Sequence, residues 1–531
     1  MGQLRQSDRE RATQREGGAR TSVAIAATRP SNVPRVRWRW VAVGGFGLAF
    51  GFALVLFRGE PILASDQGVY LSVAARMLDG DHLYSETIEN KDPLFFYTYA
   101  AALWVGGWRG PFLLDGLWFG LAAVSFALML RELRVPRSAV VAGFFVYPLA
   151  LSAGWYLAGQ TILGALAVAP LAPWLWLRGR FAAAGVTLGV VMLLKLNLAA
   201  VAVAPLAIFV IFGAPEGRRW RPVAWCAAGL SAALTVAALI LAVRGELRAY
   251  LELVEYNVYY SGALADEGSG FLDRARQHLD VVLAYFENSG RWQLPAVVLV
   301  LGAFCAAAFT VARRANASGS RLLAAAAAGT LVLAAVSLAL TAYWFHHVQL
   351  LAYPAALVAA TLVAATAVAL GPRAGALAAA VCVLFALWSS LKLEDRIRIA
   401  PAWTTAGTST SSQALEEARR RFYADAERVT YMAFGGNSEN AHAVFISDRF
   451  DLVCRWFHLY PHSTDDQLDE TTECSEREEP ALILVTLGFF DDREGASWQG
   501  FIANARRLLD SRYDLVVTTP PDFQVWKRRE T

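Results

Sequence analysis

Charge is scarce in this chain. Of its 531 residues only 18% are Asp, Glu, Lys or Arg, and 56% are apolar. Soluble globular domains carry about 25% charged residues. A water-soluble fold could not hide so much apolar surface, so lipid is part of the solvent. Cysteine is scarce too: five residues are too few for a disulfide framework. Histidine numbers seven, and none of His442, His458 or His462 has the Cys or carboxylate spacing of a zinc site. No short apolar core with a small-residue cleavage site sits near Met1, so no signal peptide is expected. Intrinsic disorder and fibrous repeats are excluded for the bulk of the chain.

The few charges are unevenly spread. Residues 1–40 hold nine Arg against Asp8, Glu10 and Glu16 and read as a disordered cytoplasmic tail. Residues 395–531 hold 16 basic against 23 acidic groups. The basic groups cluster in loops beside apolar runs, which argues against nucleic acid as a partner.

Apolar runs long enough to cross a bilayer start with Val41–Phe57. Others follow near 112–130, 138–155, 161–177, 181–194, 198–213, 223–242, 293–312, 322–342, 350–370 and 374–391. Leu94–Gly106 is shorter, starts after Pro93, and is expected to be interfacial or re-entrant. With that run not spanning, Arg131, Arg134, Arg137, Arg178, Arg180, Arg218, Arg219, Arg221, Arg313, Arg314, Arg321 and Arg373 all fall inside. The short outer turns then hold only Lys195. The expected fold class is therefore an all-α polytopic membrane protein of about eleven transmembrane helices, with a C-terminal extracytoplasmic α/β domain. The expected domains are the tail 1–40, a membrane domain 41–394 with external loops 58–111 and 243–292, and an outer domain 395–531. The expected setting is the plasma membrane, N-terminus inside, in a bacterium of high-GC coding bias. In the outer domain, helical patterns lie near Ser412–Phe422 and Trp498–Asp510. Strand patterns lie at Val429–Phe434, Ala481–Thr486, Asp514–Thr518 and Phe523–Lys527. Cys454 and Cys474 are the Cys pair outside the apolar runs, and in an oxidising compartment they could join. Cys226, Cys305 and Cys382 read as packing residues, and Gly44, Gly45 and Gly47 as helix-packing glycines.

The most informative stretch follows the first span. It runs Ala64-Ser65-Asp66-Gln67-Gly68-Val69-Tyr70, through Arg76-Met77-Leu78 and His82-Leu83-Tyr84, to Glu89-Asn90-Lys91-Asp92-Pro93-Leu94. Tyr70, Val73, Ala74, Met77 and Leu78 share a helical face, predicting a helix along the membrane surface. A carboxylate, an Arg and a Lys then sit near the depth of lipid phosphates. A carboxylate can take a hydroxyl proton, and Arg and Lys can hold a departing phosphate.

This stretch resembles the first external loop of GT-C glycosyltransferases, and in particular the bacterial dolichyl-phosphate-mannose and aminoarabinose-transferase type. The matching residues are Asp66, Tyr70, Arg76, Gly80 to Tyr84, and Lys91-Asp92-Pro93-Leu94-Phe95-Phe96-Tyr97. Gln67 stands where that type often has a second acidic residue, and Asp92 where it has a first Pro. Leu193-Leu194-Lys195-Leu196-Asn197 resembles the family's Thr-Lys segment. Tyr343-Trp344-Phe345-His346-His347 with Pro354 resembles its aromatic and His segment, and Gln160 stands where many members carry Asp or Glu. The closing Tyr513–Val517 and Val525–Arg528 segments resemble the terminal hairpin of its external domain.

The resemblance implies an inverting transfer of a sugar from a polyprenyl-phosphate donor to an acceptor hydroxyl of a lipid, glycan or protein. Asp66 would be the base. Lys91, Arg76, Lys195 and His347 would bind the phosphate. Tyr70, Tyr84, Gln160, Asn197, Glu255, Tyr256 and His346 would touch substrate. No cofactor is certain: a divalent metal stays an open alternative, to which a lone Asp66 beside Gln67 gives little support. Simpler readings stand beside these. Asp66 could cap a helix, Lys91 could snorkel to the interface, Arg76 could meet lipid headgroups, and the tyrosines near Glu255 could form an interfacial belt. A transporter or flippase is the alternative function, but it expects inverted repeats and charges at mid-span. Here the charges gather at span ends. An envelope-assembly protein would not need Asp66, Arg76 and Lys91 at one depth.

Overall fold

The computed structural model describes residues 38–58, 66–153, 161–213, 220–263, 318–341, 349–391, 410–434, 449–456, 463–486, 496–519 and 523–530, with 273, 276, 280 and 459. Statements below concern these residues. The helical part contains α1 (Trp38–Arg58), α2 (Asp66–Asp79), α3 (Pro93–Gly106), α4 (Gly110–Glu132) and α5 (Arg137–Ala153). It continues with α6 (Thr161–Val168), α7 (Leu171–Leu177), α8 (Phe181–Leu194), α9 (Ala199–Gly213), α10 (Trp220–Val243) and α11 (Leu247–Ala263). It closes with α12 (Ser318–Thr341), α13 (Ala352–Leu370) and α14 (Pro372–Leu391).

Five helical segments have the length and apolarity to cross a membrane: Pro93–Glu132, Trp220–Val243, Ser318–Ser337, Gln349–Leu370 and Pro372–Ser390. Five shorter apolar helices accompany them. The chain is a multi-pass membrane protein. Helices stand at every apolar run found in the sequence except 293–312, which lies outside the described residues. The run 161–177 is divided, because Pro170 begins a new turn between α6 and α7.

Pro93–Glu132 is not one straight rod. Gly107 takes φ +55°, a 3-10 turn spans Gly107–Arg109, and α4 folds back on α3. A Cβ on Gly110 would stand 2.0 Å from the Ala102 carbonyl oxygen, so only glycine fits this return. Lys91 and Asp92 stand at the open end of that hairpin.

Small residues let the helices approach, since lipid supplies no hydrophobic drive between them. A Cβ on Gly51 of α1 would lie 2.3 Å from the Gly116 oxygen of α4. A Cβ on Gly185 of α8 would lie 1.8 Å from the Cys226 oxygen of α10, and one on Gly229 2.0 Å from the Ala182 oxygen. Gly47 packs against Val124 and Gly120 as expected, but Gly44 and Gly45 face open space and make no such contact. Cys226 is buried in this seam and Cys382 is partly buried, while Cys305 lies outside the described residues.

Beyond α14 the chain builds a small α/β unit of α15 (Thr410–Phe422), β1 (Val429–Phe434), β2 (Phe450–Leu452), α16 (Asp465–Glu478), β3 (Leu482–Thr486), α17 (Ala496–Arg512), β4 (Tyr513–Thr519) and β5 (Phe523–Arg528). The strand order is β2-β1-β3-β5-β4. β1 pairs in parallel with β2 and β3, and β5 runs antiparallel to β3 and β4. β3 is buried along its whole length, as a central strand covered on both faces must be. Four strands and two helices fall where the apolar patterns place them. β2 has only three residues and no readable alternation. α16 is strongly acidic and shows no apolar run, but Thr464 and Gln467 form a reciprocal capping box at its start. Thr-x-x-Gln was its sequence signal. Cys454 and Cys474 are joined in a disulfide, with Cα atoms 5.9 Å apart, which ties the segment after β2 to α16.

Candidate active site

The site grows from the loop between α2 and α3. α2 begins at Asp66, the expected start of a capped helix, and ends at Gly80 with φ +114°. Its apolar face is not laid on lipid as the sequence suggested. Tyr70, Val73 and Ala74 are buried against α3, because the hairpin returns over them and offers aromatic rather than acyl-chain surface. The Tyr70 ring meets Phe95 at 4.9 Å and Tyr99 at 6.0 Å, both edge to face. Leu78 alone of the expected face remains exposed.

After α2 the chain makes a tight turn. The Tyr84 N–H donates to the Thr87 oxygen at 2.7 Å, and Tyr84 sits at φ +69°. A left-handed tyrosine is strained by about 1 kcal/mol or more and persists only where its surroundings hold it. Here its hydroxyl donates to the Lys91 carbonyl at 2.8 Å, and its ring lies 5.3 Å from Tyr250 of α11. Burial, then the nearby Asp92 charge, pushes its hydroxyl well above its ordinary pKa. Tyr70 and Tyr84, both expected to touch substrate, are thus buried, with their rings packed against α3 and against Tyr250 respectively.

Lys91 is almost enclosed. Its ammonium donates to the buried Glu89 carboxylate at 2.8 Å and to the Asn90 side chain, and stands 5.5 Å over the Tyr70 ring. Asn257 of α11 holds the same loop by donating to the Asn90 carbonyl at 3.3 Å.

Asp92 is the junction of the site. It stands at the N-cap of α3, but its side chain does not cap that helix. One carboxylate oxygen accepts the Leu196 N–H at 2.8 Å, from the turn after α8, and the other accepts the Tyr250 hydroxyl at 3.2 Å. Lys195 and Lys91 both lie close enough to favour its charge. Burial outweighs them and holds the carboxyl above its ordinary pKa. Lys195 itself ends α8 in extended conformation, and Asn197 follows it in the 3-10 turn Leu196–Leu198.

Another carboxylate near this junction joins segments that lie far apart in sequence. Glu246, wholly buried, accepts the Leu83 N–H at 3.1 Å, the Tyr97 hydroxyl at 2.7 Å and the Arg244 Nε at 2.7 Å. It locks the end of α10 to the turn carrying Tyr84.

The α/β unit closes over this assembly. Arg76 donates to the Cys454 carbonyl at 3.3 Å and pairs with Asp81. The Ile88 N–H donates to the Arg455 carbonyl at 3.2 Å, and Arg428 reaches both Asp79 and Asp451. Arg76, expected at a phosphate, thus has its guanidinium on the sheet unit. Tyr256 is buried with its ring 6.2 Å from Trp456, and Glu255 is exposed on α11. Gln160, His346, His347, His442, His458 and His462 lie outside the described residues.

Among solved structures, the chain superposes on ArnT from Cupriavidus metallidurans bound to undecaprenyl phosphate with a TM-score of 0.51. The identity is 12%, over 92% of this chain and 97% of that one. The chain has the GT-C fold. ArnT in its apo state follows at TM-score 0.45 and 14% identity, over 92% and 98% of the two chains. The mycobacterial arabinofuranosyltransferase AftD follows at 0.41 and 14%, over 94% of this chain and 40% of that one. No family model and no curated protein matches the sequence.

Within this GT-C fold, sequence reasoning named Lys91 and Lys195 but missed the acidic groups around them. Asp92 stood out only as a departure from a Pro-Pro pair. Glu246 had a readable signal, an ionisable residue just past a span end. Tyr250 and Asn257 had none, because their partners lie more than 150 positions away.

Proposed function

We propose that the chain is a membrane glycosyltransferase that moves a sugar from a polyprenyl-phosphate donor to an acceptor hydroxyl at the outer membrane face. The observation that carries this reading is the gathering of Lys91 and Lys195, from loops far apart in sequence, around one carboxylate at the mouth of the α3–α4 hairpin.

The acceptor oxygen attacks the anomeric carbon while the bond from that carbon to the phosphate oxygen breaks. The electron pair leaves with the polyprenyl phosphate, and the hydroxyl proton passes to the Asp66 carboxylate. One displacement inverts the anomeric centre. Lys91 and Lys195 meet the growing charge on the phosphate. His347 is a further candidate for that role. Gln160, Asn197, Glu255 and His346 are candidates for sugar or acceptor contacts. Arg76 serves to seat the α/β unit over the loop.

The test uses purified protein in lipid nanodiscs with undecaprenyl-phosphate-linked sugars. Asp66→Asn is expected to lose turnover by about 10²-fold or more while still binding undecaprenyl phosphate. Full activity of that variant overturns the role of Asp66. Unchanged envelope glycolipids and polysaccharides in cells carrying Asp66→Ala, by mass spectrometry, would favour a flippase or an envelope-assembly protein.

A further inference from the structure

The geometry points to Asp92 as a positioning residue that brackets three separate segments and thereby sets the placement of the Lys195 ammonium toward a lipid-linked phosphate. The inference rests on the function proposed above. It concerns the one position where the Lys-Pro-Pro pattern is broken in this sequence.

The argument starts from the backbone. A proline at 92 would have no side-chain acceptor. Asp92 supplies two, and both are used. Leu196, bonded to one carboxylate oxygen, directly follows Lys195. Lys195 stands in extended conformation at the joint between a helix and a 3-10 turn. Its own N–H reaches back to Val191 at 2.9 Å and its carbonyl accepts the Leu198 N–H at 3.1 Å, so the α8 side is held by helix, and the other side by a single 3-10 bond that Asp92 reinforces at Leu196. Tyr250, bonded to the second oxygen, is carried by α11, and its ring also lies against Tyr84. Asp92 thus joins the α2–α3 loop, the end of α8 and α11 at one point.

Charge alone predicts the opposite of positioning. Asp92 faces Lys91 and Lys195, Tyr250 and Tyr84, with Tyr97, Glu246 and Arg244 beyond and Glu89 on Lys91. Deleting a negative charge beside two ammonium groups strengthens their pull on any anion. A loss of anion affinity on removing the side chain therefore reports lost placement, because it runs against the Coulombic sign. This gives the two simple variants different expectations. Asn keeps an oxygen for the Leu196 N–H and drops the charge. Ala drops both.

The experiment measures binding of undecaprenyl phosphate to the full chain in nanodiscs. Asp92→Ala is expected to bind about tenfold more weakly, the scale of one or two well-placed hydrogen bonds. Asp92→Asn is expected to bind as well as the native protein or better. In a Lys195→Ala background, Asp92→Ala is expected to add almost nothing, because the group it places is gone. Asp92→Ala binding as tightly as the native protein overturns the inference. So does Asp92→Asn as weak as Asp92→Ala, or full additivity with Lys195→Ala. If Asp92→Ala does not fold, Tyr250→Phe carries the test: about threefold weaker binding is expected from one lost hydrogen bond, and unchanged binding overturns it. Failure of the native protein to bind undecaprenyl phosphate sinks the proposed function instead, so the two failures are distinguishable.

Discussion

The carboxylate of Glu246 accepts the backbone N–H of Leu83 at 3.1 Å, across 163 positions of sequence. The same group takes Tyr97 and Arg244, and no part of it reaches solvent. Glu246→Ala would leave the Leu83 N–H and the Tyr97 hydroxyl without their acceptor, while the half-exposed Arg244 turns to solvent. Leaving a buried donor without its acceptor costs about 1–3 kcal/mol. The expected result is a large fall in melting temperature in detergent, with a smaller fall for Glu246→Gln, which keeps an acceptor. Equal melting of Glu246→Ala and native protein would show that the network contributes nothing.

Reduction should loosen the α/β unit where it meets the membrane part. The Cys454–Cys474 bridge spans 20 positions, and Cys454 offers its carbonyl to Arg76. A loop of that size is stabilised by about 3 kcal/mol. A Cys454→Ser, Cys474→Ser protein is expected to exchange amide hydrogens faster at Ile88, whose donor bond ends on the neighbouring residue Arg455. Exchange at α13 should not change, and this contrast separates local loosening from global unfolding.

The glycine seam between α8 and α10 offers a contrast of two single methyl groups. Gly185→Ala places a Cβ 1.8 Å from the Cys226 oxygen, so the helices must separate. Overpacking of this kind costs about 1–3 kcal/mol. Gly44→Ala meets nothing within 4 Å and should leave the melting temperature unchanged. Similar effects of the two would mean that the close approach is not real.

Asp92 also predicts a pH signature. Burial raises its folded pKa above the ordinary 3.8. A carboxyl raised in this way gives its full stabilising contribution below the unfolded pKa and loses it as pH rises through the folded one. Asp92→Asn has no such loss. Its melting temperature relative to native protein should therefore climb as pH rises from about 4 and then level off. A constant difference from pH 4 to pH 8 would contradict the raised pKa.

Much of this protein was readable before any coordinates. The apolar runs mark the helices because a bilayer demands about 20 apolar residues per crossing, and no other solvent selects for that pattern. The break before Pro93 correctly isolated α3. Four strands of the α/β unit followed from local alternation and turn residues. The motif around Lys91 was legible as a candidate site, since its residues are neighbours in sequence.

Other features depend on distance in the fold. Sequence alone set which segments are helical, which charges sit at helix ends and where the loop motif lies, because these are properties of stretches of chain against solvent. Only the tertiary structure decided that Tyr70 packs against α3 and Tyr84 against Tyr250, that Arg76 turns to the sheet unit, and that Asp92 and Glu246 join distant segments. Those outcomes hinge on which groups meet when α2, α3, α8 and α11 pack together, and a buried carboxylate is stable only beside the particular donors that packing delivers.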